Sequence, residues 1–173
     1  MAALTKGRDG REMSEIGFLI DAGAIAFTDC DHVVSNPKVF ARALSYACAL
    51  SALVIAHPQE PTLSKGAAAT SGKFASLRGL PAVSAMAERM GLDRDIALIE
   101  MTGARYHADQ ITTARALPAL ERAKAGFAAS GPFPASLSFS WFLWWTIYSQ
   151  YDGMRVRSYW ISFARIRWNT CGL

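Results

Sequence analysis

Cysteine is scarce in this chain of 173 residues, and the three cysteines follow no recognisable pattern. Cys30, Cys48 and Cys171 lie far apart, and none belongs to a CxxC pair of the kind that binds zinc or exchanges disulfides. The N-terminus also lacks the apolar stretch of a cleavable secretion signal. These absences exclude a disulfide-stapled secreted domain and favour a reduced, cytoplasmic setting.

The short motifs that mark several large enzyme classes are missing as well. The sequence contains no Walker A loop and no GxGxxG, HExxH or GxSxG motif, so the usual signatures of nucleotide binding, zinc proteolysis and serine hydrolysis are absent. Nucleic acid is not expected as a partner despite the net charge of +4, because positive and negative residues alternate along residues 1–126 as on an ordinary solvated surface.

Acidic residues and tryptophans are distributed very unevenly. Residues 1–126 contain 14 Lys/Arg, 13 Asp/Glu and no Trp, whereas residues 127–173 contain four Arg, one Asp and all five Trp. This break predicts a globular part over 1–126 and an unrelated, aromatic-rich tail over 127–173. The tail shows no strand–helix alternation in its sequence, which favours a reading-frame shift or a gene junction as its origin.

The tail also raises the question of a membrane segment. Residues 125–151 carry no formal charge. Within them, prolines and serines leave about 14 convincingly apolar residues, fewer than the roughly 20 that a spanning helix needs. Membrane binding is therefore not expected, and a small protein attached to a membrane through residues 136–148 is kept only as an alternative.

Short apolar runs alternate with amphipathic stretches over the first 126 residues. Strands are predicted over 24–28, 52–56 and 104–107, with residues 1–5 as a further candidate. Helices are predicted over 14–22, 37–50, 81–103 with an interruption near Gly91, and 111–125 with a kink at Pro118. The Gly/Ser-rich stretch 64–79 predicts a structured loop over a site. This alternation is typical of an α/β fold with a parallel sheet.

Polar residues follow the predicted strands, at the end where parallel α/β folds collect reactive groups. They are Asp29, Cys30, Asp31, His57, His107, Asp109 and Gln110. An imidazole at such a place either binds a metal or moves a proton, or it is a hydrogen-bonded structural histidine. A lone cysteine is a thiolate ligand or, more often, a small packing residue. Because successive strand side chains face opposite sides, only one of His107 and Gln110 is expected to point inward.

Three cations flank the Gly/Ser-rich loop. Lys65, Lys73 and Arg78 are suited to hold an anionic substrate, although surface cations beside a loop are commonplace. The residues alone leave both interpretations open.

Several short segments, taken together in their order and separation, carry a family resemblance. They are GAIAFTD at 23–29, ALVIAH at 52–57, KG at 65–66, GKF at 72–74, LPAV at 80–83 and RYH at 105–107. Over roughly residues 1–126 the chain resembles the dihydroorotases, cyclic amidohydrolases of pyrimidine biosynthesis. The resemblance implies a zinc-bearing (β/α)8 barrel that interconverts dihydroorotate and carbamoyl aspartate. A complete barrel seldom has fewer than about 200 residues, so we expect a partial barrel of about four βα units, truncated and inactive alone.

The resemblance also assigns three metal-ligand positions. His57 corresponds to the histidine after the family's fifth strand, Cys30 to the bridging aspartate after the fourth, and Gln110 to the histidine after the sixth. A cysteine does not supply two bridging oxygens and an amide is a poor zinc ligand, so a normal zinc centre is not expected. His107 or Asp31 would replace these ligands only after a shift of strand register.

These substitutions point to one branch of the family. The chain resembles the divergent dihydroorotase-like proteins that have lost the metal site and serve as structural partners of aspartate carbamoyltransferase. The resemblance therefore implies a second role, that of a non-catalytic partner of that enzyme.

Overall fold

The computed structural model describes residues 1–30, 32–129 and 137–139, with the backbone alone for 127–129 and 137–139. The α-helices of this part are α1 Ile16–Asp21, α2 Pro37–Ala49, α3 Pro61–Ser64, α4 Lys73–Arg78, α5 Met86–Thr102 and α6 Leu117–Ala129, and a short 3-10 helix spans Lys6–Arg8. Its strands are β1 Ala26–Thr28, β2 Leu53–Ala56, β3 Ala69–Thr70, β4 Ala82–Val83, β5 Arg105–Ala108 and β6 Leu137–Phe139.

Four parallel strands form the main sheet in the order β1, β2, β5, β6. β3 and β4 form a separate two-stranded parallel sheet inside the long connection between β2 and β5. A single parallel bridge between Ala2 and Phe27 extends the main sheet on the other side of β1. Each strand of the main sheet thus lies beside the one that precedes it in that sheet.

Helices cover one face of the main sheet. Phe27, Val54 and Tyr106 pair across three strands in register, and all three are completely buried. The core cluster joins this row to side chains of α2 and α5, among them Phe40, Leu44, Leu92 and Ile99. Because a register slip of one residue would turn the whole row to the opposite face, these large side chains fix which face carries the helices.

The start of α2 confirms its sequence signal. The side chain of Asn36 accepts hydrogen bonds from the backbone N–H groups of Lys38 (2.9 Å) and Val39 (3.4 Å), and Pro37 stands in the first turn. An N-cap of this kind satisfies backbone donors that have no partner inside the helix. The predicted strands over 24–28, 52–56 and 104–107 are confirmed as well, with ends shifted by one or two residues.

Three predicted helix boundaries are wrong, for tertiary reasons. α1 begins at Ile16 rather than at residue 14, because Ser14 donates from its N to Leu4 O (3.0 Å) and from its Oγ to Ala3 O (2.7 Å). α5 begins at Met86 rather than at residue 81, because the preceding residues form β4. α6 begins at Leu117, so Pro118 lies in its first turn and makes no kink.

The segment after residue 126 also differs from expectation. α6 continues to Ala129, and β6 pairs in parallel with β5, so the expected lack of strand–helix alternation is wrong at this point. Residues 130–136 and 140–173 lie outside the described residues, and with them most of the 136–148 segment. Where the structure describes the chain, every helix is too short or too polar to cross a membrane.

Candidate functional site

The carboxyl ends of β1, β2 and β5 meet at one edge of the main sheet. Thr28 pairs with Ile55, and Ile55 pairs with His107. Cys30 lies two residues after Thr28, and His57 lies two residues after Ile55. The backbone N–H of Asp109 donates to Ala56 O (3.0 Å), which places Asp109 beside His57 in the ladder. The strand-end residues singled out in the sequence therefore share this edge, apart from Asp31, which lies outside the described residues.

The imidazole of His57 makes one hydrogen-bond contact, through one of its two ring nitrogens. Its Nε2 lies 3.1 Å from Oε1 of Gln59, so the ring is the Nε2–H tautomer if this contact is a donated hydrogen bond. Its Nδ1 is buried and has no hydrogen-bond partner among the described residues. A buried acceptor without a donor is costly, which makes this nitrogen an unusual feature of the site.

Cys30 and Gln110 both sit at strained positions on the surface. Cys30 is exposed with a φ of 58°, and its N–H donates to Oγ1 of Thr28 (2.9 Å). Gln110 is exposed with a φ of 54°, and its N–H donates to Oδ1 of Asp109 (2.9 Å). Left-handed backbone conformations are uncommon for residues other than glycine. Both strands therefore end in tight turns held by a neighbouring side chain.

His107 faces the same side of the sheet as Ile55 and is partly buried. Burial lowers the pKa of its imidazole below the ordinary value, and the nearby carboxylate of Asp109 opposes that effect. The neutral form is therefore favoured.

Asp29 has a structural task. Its Oδ1 accepts hydrogen bonds from the backbone N–H groups of Leu4 (3.0 Å) and Thr5 (2.9 Å), and its Oδ2 accepts one from Oγ1 of Thr5 (2.5 Å). The residue is 3% exposed. Three donors on one buried carboxylate hold the N-terminal segment against the end of β1.

Helix α5 fixes the loop that follows β5. Glu88 is 4% exposed, and its two carboxylate oxygens accept four hydrogen bonds from the backbone N–H and Oγ1 groups of Thr112 and Thr113, at 2.6 to 2.9 Å. This clamp holds residues 112–113 outside the helix, which explains why α6 starts later than predicted.

The same helix lies directly on the loop that follows β2. A Cβ added to Gly91 would come within 2.4–2.6 Å of the N, C and Cα atoms of Gln59. The N–H of Glu60 donates to Ala87 O (2.9 Å). Gly91 is therefore present because the backbone after His57 approaches the helix too closely for any side chain, and it does not interrupt α5.

A polar triad of Arg94, Asp95 and Tyr106, of which Asp95 and Tyr106 are buried, joins α5 to β5 and to the loop after β1. The Tyr106 hydroxyl donates to Oδ2 of Asp95 (2.8 Å), and Arg94 donates to Oδ1 of Asp95 from Nε (2.9 Å) and Nη2 (2.7 Å). Arg94 Nη1 also donates to Val34 O (3.2 Å). Burial raises the pKa of Asp95, against the lowering effects of Arg94 and Tyr106, and burial with the Asp95 charge raises the pKa of Tyr106 well above its usual value.

Sequence reasoning missed these residues of α5. Glu88, Leu92, Asp95 and Ile99 follow one another at helical spacing, and all four are buried. Carboxylates inside an apolar helical stripe are a signal of buried, hydrogen-bonded acids, and that signal was available in the sequence.

Two cavities lie near this edge. The smaller is a narrow cleft lined in part by Asp29, His32, His57 and Arg94. The larger is an open groove lined in part by Lys65 and Arg94. Neither Lys73 nor Arg78 lines it, so the three cations considered for an anionic substrate are not brought together there.

The side chains at the assigned positions fit a zinc centre poorly. His57 is a good zinc ligand, but the exposed Gln110 offers only an amide, and Cys30 offers one sulfur where a bridging carboxylate has two oxygens. Among the described residues, no three His, Cys, Asp or Glu side chains are grouped closely enough to hold a metal ion.

Comparison with known proteins gives consistent results for sequence and fold. A profile of the dihydro-orotase-like family matches residues 1–116. A dihydroorotase of Carboxydothermus hydrogenoformans is 38% identical over 121 residues, which are 70% of this chain and 28% of that protein. A dihydroorotase-like protein of Pseudomonas putida is 37% identical over 124 residues, which are 72% of this chain and 29% of that protein. The chain thus spans less than a third of the length of these relatives.

Among solved structures, the chain is similar in fold to an L-hydantoinase (dihydropyrimidinase) from Arthrobacter aurescens. The TM-score is 0.56 with 13% sequence identity, and the match covers 78% of this chain and 30% of the other. At this identity the similarity concerns the fold alone.

Proposed function

The chain belongs to the dihydro-orotase-like family, and from this premise we propose that it forms part of a (β/α)8 barrel and does not by itself hydrolyse dihydroorotate. Two features support the proposal, the order of the strands and the chemistry of the side chains at the assigned ligand positions.

The strand order favours a barrel over an open doubly wound sheet. In the main sheet each parallel strand lies beside its predecessor, and helices lie in the connections. A doubly wound sheet reverses direction at a switch point, whereas a (β/α)8 barrel adds strands in sequence. In such a barrel the described strands of the main sheet and the bridge at Ala2 would make up about half of the strands, and residues 1–126 would be the main part of the chain in it.

The proposal of inactivity rests on the side chains at the three positions that the family resemblance assigns to metal ligands. His57 stands where the resemblance expects a histidine, but Cys30 and Gln110 stand where it expects an aspartate and a histidine. Zinc hydrolases need a metal that lowers the pKa of bound water, and the ligand set controls that chemistry. An amide and a single sulfur, both on exposed turns, do not reproduce the family's set.

The test is an assay of the purified full chain supplied with zinc, in the directions of hydrolysis and of cyclisation, together with its metal content. We expect no turnover above background. Turnover well above background that disappears in His57→Ala would overturn the proposal.

A gain-of-ligand variant tests the assignment of Gln110. In Gln110→His we expect tighter zinc binding than in the wild type, because an imidazole replaces an amide, which is a poor zinc ligand. Unchanged zinc affinity would show that this position is assigned wrongly.

A second candidate is a non-catalytic partner of aspartate carbamoyltransferase. The chemistry of the ligand positions given by the family resemblance supports this candidate. Cys30 and Gln110 do not reproduce the family's metal set, and a structural subunit needs no metal. Co-purification of the full chain with aspartate carbamoyltransferase is expected, and its absence would contradict this role.

A further inference from the structure

The connection between β2 and α5 contains a self-contained unit, residues 61–84, which we call the excursion. It comprises α3, β3, α4 and β4, and α4 joins β3 and β4 into a small parallel sheet of their own. Connections between a strand and a helix are usually about 2–6 residues long, and much longer ones are often lids or binding loops. We propose that the excursion opens and closes as one unit while the main sheet stays folded, and that this movement removes and restores one wall of the groove beside α5.

The hydrogen bonds of the excursion stay within it or end beside it. Inside the excursion, the N–H of Ala68 donates to Pro81 O (2.8 Å) and the N–H of Ser71 donates to Val83 O (2.7 Å). Among the described residues, those outside the excursion that share a hydrogen bond with it are Glu60, Met86 and Ala87. All three lie next to its two ends. The excursion therefore opens without breaking a hydrogen bond to the main sheet.

The excursion also buries little of its own surface. Within residues 61–84, all of which the structure describes, Ala75 on α4 alone is buried. Its strands have two residues each and α4 has six, and elements of this length are marginally stable by themselves. A segment with few buried apolar contacts and exposed backbone hydrogen bonds opens at a lower free-energy cost than the core does.

The two ends of the excursion are held much more firmly. The N–H of Glu60 donates to Ala87 O (2.9 Å), which brings the chain before the excursion into contact with the chain after it. The backbone of Gln59 lies so close to α5 that a Cβ added to Gly91 would come within 2.4–2.6 Å of it. Because these contacts lie outside residues 61–84, they stay in place when the excursion opens.

The open groove lies between the excursion and α5. Pro61, Thr62 and Lys65 line it from the excursion, and Met90 and Arg94 line it from α5. The excursion packs against α5 through α3, which carries the first of these walls. When α3 leaves α5 together with the rest of the excursion, the groove loses that wall. The excursion then acts as a lid, because its position decides whether a bound molecule is enclosed.

Native-state hydrogen exchange on the full chain tests this movement. In the wild type, the amides of Ser64, Ser71 and Leu80 are expected to share one opening constant. They should exchange faster than the core amide of Val54, which requires a larger opening. Ala75→Gly removes the buried methyl group and places glycine in α4. It should accelerate exchange of the three excursion amides about 5- to 10-fold and leave Val54 unchanged.

Ala43→Gly is the matched control. Ala43 is completely buried in α2, so the same methyl group is removed from a helix that packs on the main sheet. This variant should accelerate exchange of Val54 and leave the three excursion amides as they are in the wild type. Equal acceleration of the excursion and Val54 in Ala43→Gly would show that the excursion opens only with the whole fold, which overturns the proposal.

The remaining outcomes are equally decisive. Excursion amides as well protected as Val54 in the wild type, or an Ala75→Gly variant that accelerates Val54 as much as Ser71, would overturn the proposal. Acceleration of Ser71 and Leu80 without Ser64 would overturn it as well, because α3 would then stay on α5 and the groove would keep its wall. Complete loss of protection at all three excursion amides with Val54 unchanged supports the proposal, since the excursion then unfolds as one unit.

Discussion

The hydroxyl of Tyr106 donates a hydrogen bond of 2.8 Å to Oδ2 of Asp95, and both side chains are completely buried. Removing the hydroxyl in Tyr106→Phe leaves one oxygen of a buried carboxylate with one donor fewer. We expect a loss of about 1–3 kcal/mol in the free energy of unfolding, measured by urea denaturation. Tyr46→Phe, on the outer side of α2, serves as the control and should change little. Equal stability of the Tyr106→Phe chain and the wild type would show that the contact contributes nothing.

The same carboxyl group predicts how stability depends on pH. Burial raises the pKa of Asp95 in the folded chain above its unfolded value. Between these two values the folded state binds more protons than the unfolded state, so the contribution of Asp95 to stability falls as the pH rises through this window. The unfolding free energy of the wild type minus that of Asp95→Asn should therefore decrease with rising pH above the unfolded pKa. A difference that increases over this window would contradict the assigned direction.

Gly91 tests the close contact between α5 and the loop after β2. A methyl group at this position meets backbone atoms of Gln59, which have little room to move. Gly91→Ala should therefore destabilise the chain by about 1–3 kcal/mol, as overpacking does. Gly126→Ala in α6 is the matched control, because nothing lies within 4 Å of its added Cβ, and a helical alanine should stabilise by up to about 1 kcal/mol. Relative to the wild type, the melting temperature of Gly91→Ala should fall and that of Gly126→Ala should rise.

Much of the framework could be predicted from local sequence. Asn36 and Pro37 mark the start of α2 because the cap is formed by neighbouring residues. The predicted interruption of α5 near Gly91 is wrong because this glycine makes room for the backbone of Gln59, which is distant in sequence. β6 was missed because its pairing with β5, rather than its own short sequence, makes it a strand.

The candidate site, like the fold, could be predicted only in part. Cys30, His57 and Gln110 could be identified at the ends of predicted strands, because polar residues after apolar runs are a local signal. The backbone turns that expose Cys30 and Gln110, and the partners supplied by α5, depend on long-range packing and had no such signal in their own segments.

The clamp formed by Glu88 predicts a local loss of order as well as a loss of stability. In Glu88→Gln, an amide nitrogen replaces one of the two carboxylate oxygens. The hydroxyl and N–H groups that donate to that oxygen then lose their acceptor. We expect about 2–4 kcal/mol of destabilisation, since hydrogen bonds to a buried charge are stronger than neutral ones. Hydrogen exchange should show that the amides of Thr112 and Thr113 lose protection more than the core amide of Val54 does. Glu100→Gln, on the exposed side of the same helix, should leave both measurements unchanged. If Glu88→Gln lowered protection uniformly, Glu88 would support the fold in general and would not specifically hold the loop that carries Gln110.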